Sequence, residues 1–300
     1  MELQQQSHWL SNEINLSSDV DDWKMKLNSN ERHLIGQTLK GFTQAEILIG
    51  DYWTNKVNKW FKHPEIQMMG RTFGSFEDIH ITSYAKLNDT LGLDDYTAFL
   101  SEPTTKNKID RLIENKGKTK GDIAKSLAIF SAFNEGVNLF SSFAILLNFS
   151  RFNKMKGLGQ IIALSIKDES LHSQAGCWLY RTFLNEYPEV NTDEHKASIY
   201  EAARVTIELE DAFIENAFSL GDVEGLSVKE LKNFLRHRCN TKLQDLGLRT
   251  NWKNIDKELL KSMDWFDLVS FGQSHTDFFA QRETEYSKSN INWSDLLGDK

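Results

Sequence analysis

Along most of the chain apolar residues return at every third or fourth position, and strand-like alternation is scarce. That period predicts helices over about 30–61, 65–92, 119–149, 156–185, 197–219, 227–246 and 255–286. Lys62-His63-Pro64, the polar stretch from Ser101 to Lys120, Tyr187-Pro188, and Gly221 with Gly225 mark the breaks between them. Segments 119–149 and 156–185 are apolar around much of their circumference, which suits helices covered on several sides. The fold expected is all-α, a helical bundle with this pair at its centre. After the last periodic segment, residues 287–300 are polar apart from Ile291, Trp293, Leu296 and Leu297, and they read as a mobile tail behind a domain spanning 1–286.

Composition changes this picture little. Only three prolines occur, so long helices can run without interruption. A net charge of −8 argues against non-specific binding to nucleic acid or to an anionic membrane. No apolar run reaches the length expected to span a bilayer, and residues 1–16 lack the apolar core of a signal peptide. Cys177 and Cys239, the only cysteines, form no CxxC pair or disulfide framework, so a reducing, cytoplasmic setting is expected.

Charged residues inside the apolar helices carry the chemistry. Glu77-Asp78-Ile79-His80 and Glu169-Ser170-Leu171-His172 both read Glu-x-x-His, which places a carboxylate and an imidazole on one helix face. One such pair by itself is commonly a solvated charged face. Here Glu169 follows Ile161-Ile162-Ala163-Leu164-Ser165-Ile166, and Glu77 follows Phe73 to Phe76. Glu46 and Glu135 lie in similarly apolar surroundings. Carboxylates on such helices are costly to bury unless they are paired or bound to metal. The order is lone Glu, Glu-x-x-His, lone Glu, Glu-x-x-His, with 31 residues from Glu46 to Glu77 and 34 from Glu135 to Glu169. Each interval suits a helix, a turn and an antiparallel return. This is the ligand set of ferritin-like di-metal carboxylate bundles, and its oxygen-rich character suits iron or manganese. Tyr84 follows His80 by four residues, one turn along the same face; spacing alone leaves it either a core tyrosine or a side chain oxidised by the metals.

Together these segments resemble the small, radical-generating subunit of class I ribonucleotide reductase. The resemblance rests on Phe76-Glu77-Asp78-Ile79-His80-Ile81-Thr82-Ser83-Tyr84, on Glu135-Gly136 through Phe143-Ala144, and on Lys167-Asp168-Glu169-Ser170-Leu171-His172. Leu226-Ser227-Val228 through Gly247-Leu248 and Asp277-Phe278-Phe279 to Tyr286 extend it over nearly the whole chain. It implies that Glu46, Glu77, His80, Glu135, Glu169 and His172 bind two metal ions and that Tyr84 carries a stable radical. It further implies a relay through Trp9, in His8-Trp9-Leu10, with Asp168 linking that tryptophan to His80, and Tyr286 handing the oxidising equivalent to a large catalytic subunit. Phe143 would shield the radical, with Leu139 as a further apolar wall. Trp9 also suits a packing anchor, and Asp168 a plain orienter of a ligand histidine.

The same resemblance implies a homodimer, docking of residues 287–300 on the large subunit, reduction of ribonucleoside diphosphates, and an activating flavoprotein as a further partner. Glu46 departs from the family pattern, because many members with a tyrosyl radical have aspartate there. Glutamate resembles the manganese/iron branch, which usually lacks the tyrosine present here as Tyr84. Fe/Fe is the expected pair, with Mn/Fe and Mn/Mn open. Two other uses of such a bundle are a di-metal oxidase or hydroxylase with its own substrate channel, and a metal-storage protein; neither needs Trp9, Asp168 or a docking tail.

Overall fold

A computed structural model of the chain describes residues 1–93 and 117–271, except for the side chains of 40–48 and 271. The predicted helices form within a few residues of their expected bounds. Helix α1 (Ser29–Asp51) runs on through a π-helical stretch, Tyr52–Val57, and the turn Asn58–Trp60. Helix α2 (Pro64–Leu91) has its proline in the first turn, where no amide hydrogen is needed, and ends at Gly92 in the left-handed conformation, φ 65°. Helix α3 starts at Lys120–Ala128 behind a Thr119/Asp122 capping box, passes through a π-helical stretch, Ile129–Asn138, and continues as Leu139–Asn148. Then come α4 (Lys156–Glu186), α5 (Asp193–Ala217) and α6 (Val228–Asp245), the last two capped by Thr192 and Ser227. No β-strand forms among the described residues, only the isolated bridge between Val223 and Leu226.

Two antiparallel hairpins make the bundle. Along the first, a Cβ on Gly50 would lie 3.3 Å from Glu77 Cβ, and one on Gly70 would lie 2.7 Å from Asn58 Oδ1, so α1 and α2 descend past each other. Along the second, Gly136 faces Ser173 and Gly176 faces Ser131 so closely that a methyl group would collide at either position. These glycines let α3 and α4 approach at the height of Glu135 and His172. Helix α4 also packs on α2, and α1 on the second half of α3, which closes the four into a ring. The N-terminal arm clasps the start of α4: Asp19 accepts from the amides of Gly157 (3.0 Å) and Leu158 (2.8 Å), and Asp22 from that of Met155 (2.8 Å).

Two expectations need correction. The segment 255–286 is not one helix where it is described: Lys257–Lys261 and α7 (Asp264–Phe271) are separated by a turn at Ser262 and Met263. The local bonds of that turn, Met263 N to the Leu260 carbonyl at 2.9 Å and Ser262 Oγ to the Leu259 carbonyl at 2.9 Å, outweigh the continuous apolar period. And one helix, Lys120–Phe152, is long and apolar enough to cross a membrane by length and composition. Its most apolar window is 89% buried against the other helices, as in a core helix. Cys177 and Cys239 are free and buried, and burial pushes the Cys177 thiol up to about 12.

Candidate metal centre

Helices α2 and α4 bring the two Glu-x-x-His faces against each other. Glu77, His80, Glu169 and His172 are fully buried, and α3 adds Glu135, also fully buried. His80 Nδ1 lies 3.2 Å from Glu77 Oε2 and 3.0 Å from Glu169 Oε1. His172 Nδ1 lies 2.9 Å from Glu77 Oε1 and 3.5 Å from Glu169 Oε2. Ligand atoms of Glu77, Glu135, Glu169 and His172 all fall within 4.8 Å of one another. Both imidazoles thus turn the same nitrogen, Nδ1, to one carboxylate pocket. Glu46 lies on α1, the fourth helix of the ring, but its side chain is outside the described residues.

The pocket is close-set without being hydrogen-bonded to completion. Glu77 Oε1, Glu135 Oε2, both oxygens of Glu169 and both nitrogens of His172 make no aligned hydrogen bond. Buried polar atoms are rarely left so. Burial and the neighbouring charges of Glu169 and Glu77 push the Glu135 carboxyl well above its ordinary range. Burial likewise opposes ionisation of Glu169, but the close Glu135 carboxyl and the two imidazoles, His172 with its charge, hold its carboxyl well below the usual value. Burial favours neutral imidazoles, yet the surrounding carboxylates raise His172 to about 9 and His80 well above its ordinary value. The protein alone therefore neutralises this pocket with protons. Multivalent cations would satisfy the same orphaned oxygens and nitrogens, and the donors fit iron or manganese.

Around the pocket sit residues of two kinds. Asp168, expected to link His80 to Trp9, does touch both: its Oδ2 lies 3.0 Å from His80 Nε2 and accepts from Trp9 Nε1 at 2.9 Å. The Trp9 ring stacks by His80 with centroids 5.9 Å apart. Trp9 is itself 1% exposed, beneath exposed His8 and Leu10, so it lies just under the surface. Tyr84 is fully buried, its ring 6.2 Å from that of His80. Its hydroxyl donates to Ser165 Oγ at 2.7 Å, so the pocket expected to be apolar has a polar member. Phe143 is fully buried and Leu139 4% exposed. Tyr286 and the tail 287–300 lie outside the described residues.

Sequence reasoning missed three residues. Gln4 donates to Asp168 Oδ1 at 2.6 Å; nothing in its polar surroundings, Gln4-Gln5-Gln6, announces that. Trp53 donates to Glu135 Oε1 at 2.7 Å and packs edge-on to His172, centroids 6.2 Å apart. Its spacing from Glu46, seven residues or two turns, was a usable signal. Both ends of the Trp53–Glu135 bond sit on π-helical stretches, a feature frequent at functional sites. Ser165, the third, is the one polar residue in the run from Ile161 to Ile166.

The sequence profile described as ribonucleotide reductase, small chain, matches residues 1–258. This chain belongs to the ribonucleotide reductase small-chain family. Among its relatives, a probable ribonucleoside-diphosphate reductase small subunit of Invertebrate iridescent virus 3 is 34% identical, covering 95% of this chain and 80% of the relative. The ribonucleoside-diphosphate reductase subunit beta of Chlamydia pneumoniae is 25% identical over 96% of this chain and 86% of its own. Of solved structures, the dimanganese(II)-NrdF of Streptococcus sanguinis superposes with a TM-score of 0.76 at 25% identity, over 88% of this chain and 93% of that one. A putative class I ribonucleotide reductase from Bacillus halodurans gives 0.82 at 19% identity, over 88% and 97%, and speaks for the fold alone. The ferritin-like helical bundle of the small-chain family is thus the fold of this chain.

Proposed function

We propose that this chain is the radical-generating subunit of a ribonucleoside-diphosphate reductase, in which residues 1–286 hold two metal ions beside Tyr84 and residues 287–300 dock on a large catalytic subunit. The observation that carries this reading is the continuity of buried groups from the carboxylate pocket through His80 and Asp168 to Trp9. Glu46, Glu77, Glu135 and Glu169 supply the oxygens and His80 and His172 the Nδ1 atoms that hold the ions; four carboxylates balance two divalent charges. When bound, the metal pair supplies dioxygen activation and one-electron oxidising power. Tyr84 gives up its electron and its phenolic proton in a pocket from which burial excludes water. Phe143 and Leu139 keep reductants from the oxidised ring.

Asp168 then serves transfer outward. It fixes the tautomer of His80 through Nε2 and holds the Trp9 indole beside that ring. Tyr286 completes the path to the large subunit, which holds the nucleotide. Fe/Fe is the pair proposed, with Mn/Fe and Mn/Mn as alternatives, and an activating flavoprotein, a homodimer and a cytoplasmic location are further parts of the reading. The relay and the docking tail distinguish it from an oxidase or a storage protein on the same bundle. Electron paramagnetic resonance after loading with iron or manganese in the presence of oxygen tests it. A long-lived tyrosyl signal that Tyr84→Phe abolishes at unchanged metal content is expected; full nucleotide reduction by that variant would sink the radical assignment.

A further inference from the structure

The hydroxyl of Ser165 is the feature least in keeping with its surroundings. It is fully buried in α4, between Leu164 and Ile166, and it touches two groups: Tyr84 OH donates to it at 2.7 Å, and it donates to the Ile161 carbonyl at 3.1 Å. A serine on a buried helix satisfies its hydroxyl through that carbonyl alone, so the contact with Tyr84 is additional to what folding requires. The Ile161 carbonyl in turn does not depend on the serine, because within α4 it accepts the Ser165 amide as its helical partner. The serine hydroxyl is therefore free to turn about its Cβ–Oγ bond without orphaning the backbone.

We propose that Ser165 is a positioning residue for the Tyr84 radical, accepting a hydrogen bond from the phenol and donating one to the phenoxyl. The inference rests on the reading of Tyr84 as the oxidised residue. Oxidation breaks the phenolic O–H bond; the electron and the proton pass to the oxygen-oxidised dinuclear metal centre. The phenoxyl oxygen is left an acceptor only. Ser165 then turns its hydroxyl, giving up the hydrogen bond to the Ile161 carbonyl and donating to Tyr84 instead, so the same pair stays hydrogen-bonded in both redox states. The ring keeps its orientation, and the bond from Ser165 draws negative charge onto the phenoxyl oxygen beside a fixed donor. An apolar residue at 165 would leave the phenoxyl without that donor.

Deuteron hyperfine spectroscopy of the iron- and oxygen-loaded protein, exchanged into heavy water, tests this directly. The unsubstituted protein is expected to show an exchangeable deuteron coupled to the tyrosyl radical. Ser165→Ala should lose that coupling and move the low-field g component upward, because the phenoxyl oxygen then has no donor from position 165. Ser165→Thr, which returns the hydroxyl, should restore the coupling. A coupling unchanged in a folded Ser165→Ala variant overturns the proposal. A normal tyrosyl signal without any exchangeable coupling in the unsubstituted protein overturns it as well, whatever the variants do, while leaving Tyr84 as the radical. No tyrosyl signal at all removes both.

Discussion

His80 stands between two regions built from the same residue types in opposite ways. On its Nδ1 side, Glu77, Glu135, Glu169 and His172 crowd together with six polar atoms lacking aligned partners. On its Nε2 side, Asp168 receives three neighbours: Trp9 at 2.9 Å, Gln4 at 2.6 Å and His80 at 3.0 Å. A buried carboxylate with its lone pairs occupied stabilises the fold, whereas one without partners costs on the order of several kcal/mol until a cation arrives. The first region therefore has the character of a cation-binding site and the second that of a piece of architecture that fixes geometry. One imidazole joins them, so the orientation set by Asp168 reaches the metal side without any chain movement.

Substitutions can break that contrast. The largest effect is expected from Glu169→Ala, which removes two of the unpartnered oxygens; at least one metal per chain should be lost, and undiminished metal stoichiometry would count against the ligand set. Asp168→Ala should act on stability instead. It strands the donors of Trp9 and Gln4 in the core, at about 1–3 kcal/mol each, so calorimetry of the metal-free protein should show a clear fall in melting temperature. Trp53→Phe keeps the packing on His172 but removes the bond to Glu135, and metal affinity measured by competition with a chelator should weaken by about tenfold. The smallest and most telling change is Glu135→Gln in the metal-free protein. Removing a carboxyl that burial already disfavours should leave the melting temperature unchanged or slightly raised, even as metal binding fails. A marked loss of metal-free stability would make this pocket architectural too.

Much of the bundle was readable from apolar spacing, because helices α1 to α6 each bury one or more continuous faces and carry recognisable caps at Thr119, Thr192 and Ser227. The last segment was not, since the break at Ser262 and Met263 is made by local turn bonds that leave the period intact. Within the site, Glu77, His80, Glu169 and His172 showed as i,i+3 pairs, and Glu135 as a carboxylate in an apolar run. Trp53, Gln4 and Ser165 did not show, because they meet their partners across 82, 164 and 81 residues of chain.

The sequence by itself determined that carboxylates and imidazoles lie on the apolar faces of paired helices, since side-chain direction on a helix follows from spacing alone. Tertiary structure decided which imidazole nitrogen faces the pocket, which carboxylate is completed by donors and which is left open, and that Tyr84 meets a hydroxyl rather than a wall of carbon. Those outcomes depend on how neighbouring helices are placed to within an ångström. The π-helical stretches that carry Trp53 and Glu135 shift that placement by a residue without changing the pattern of apolar positions.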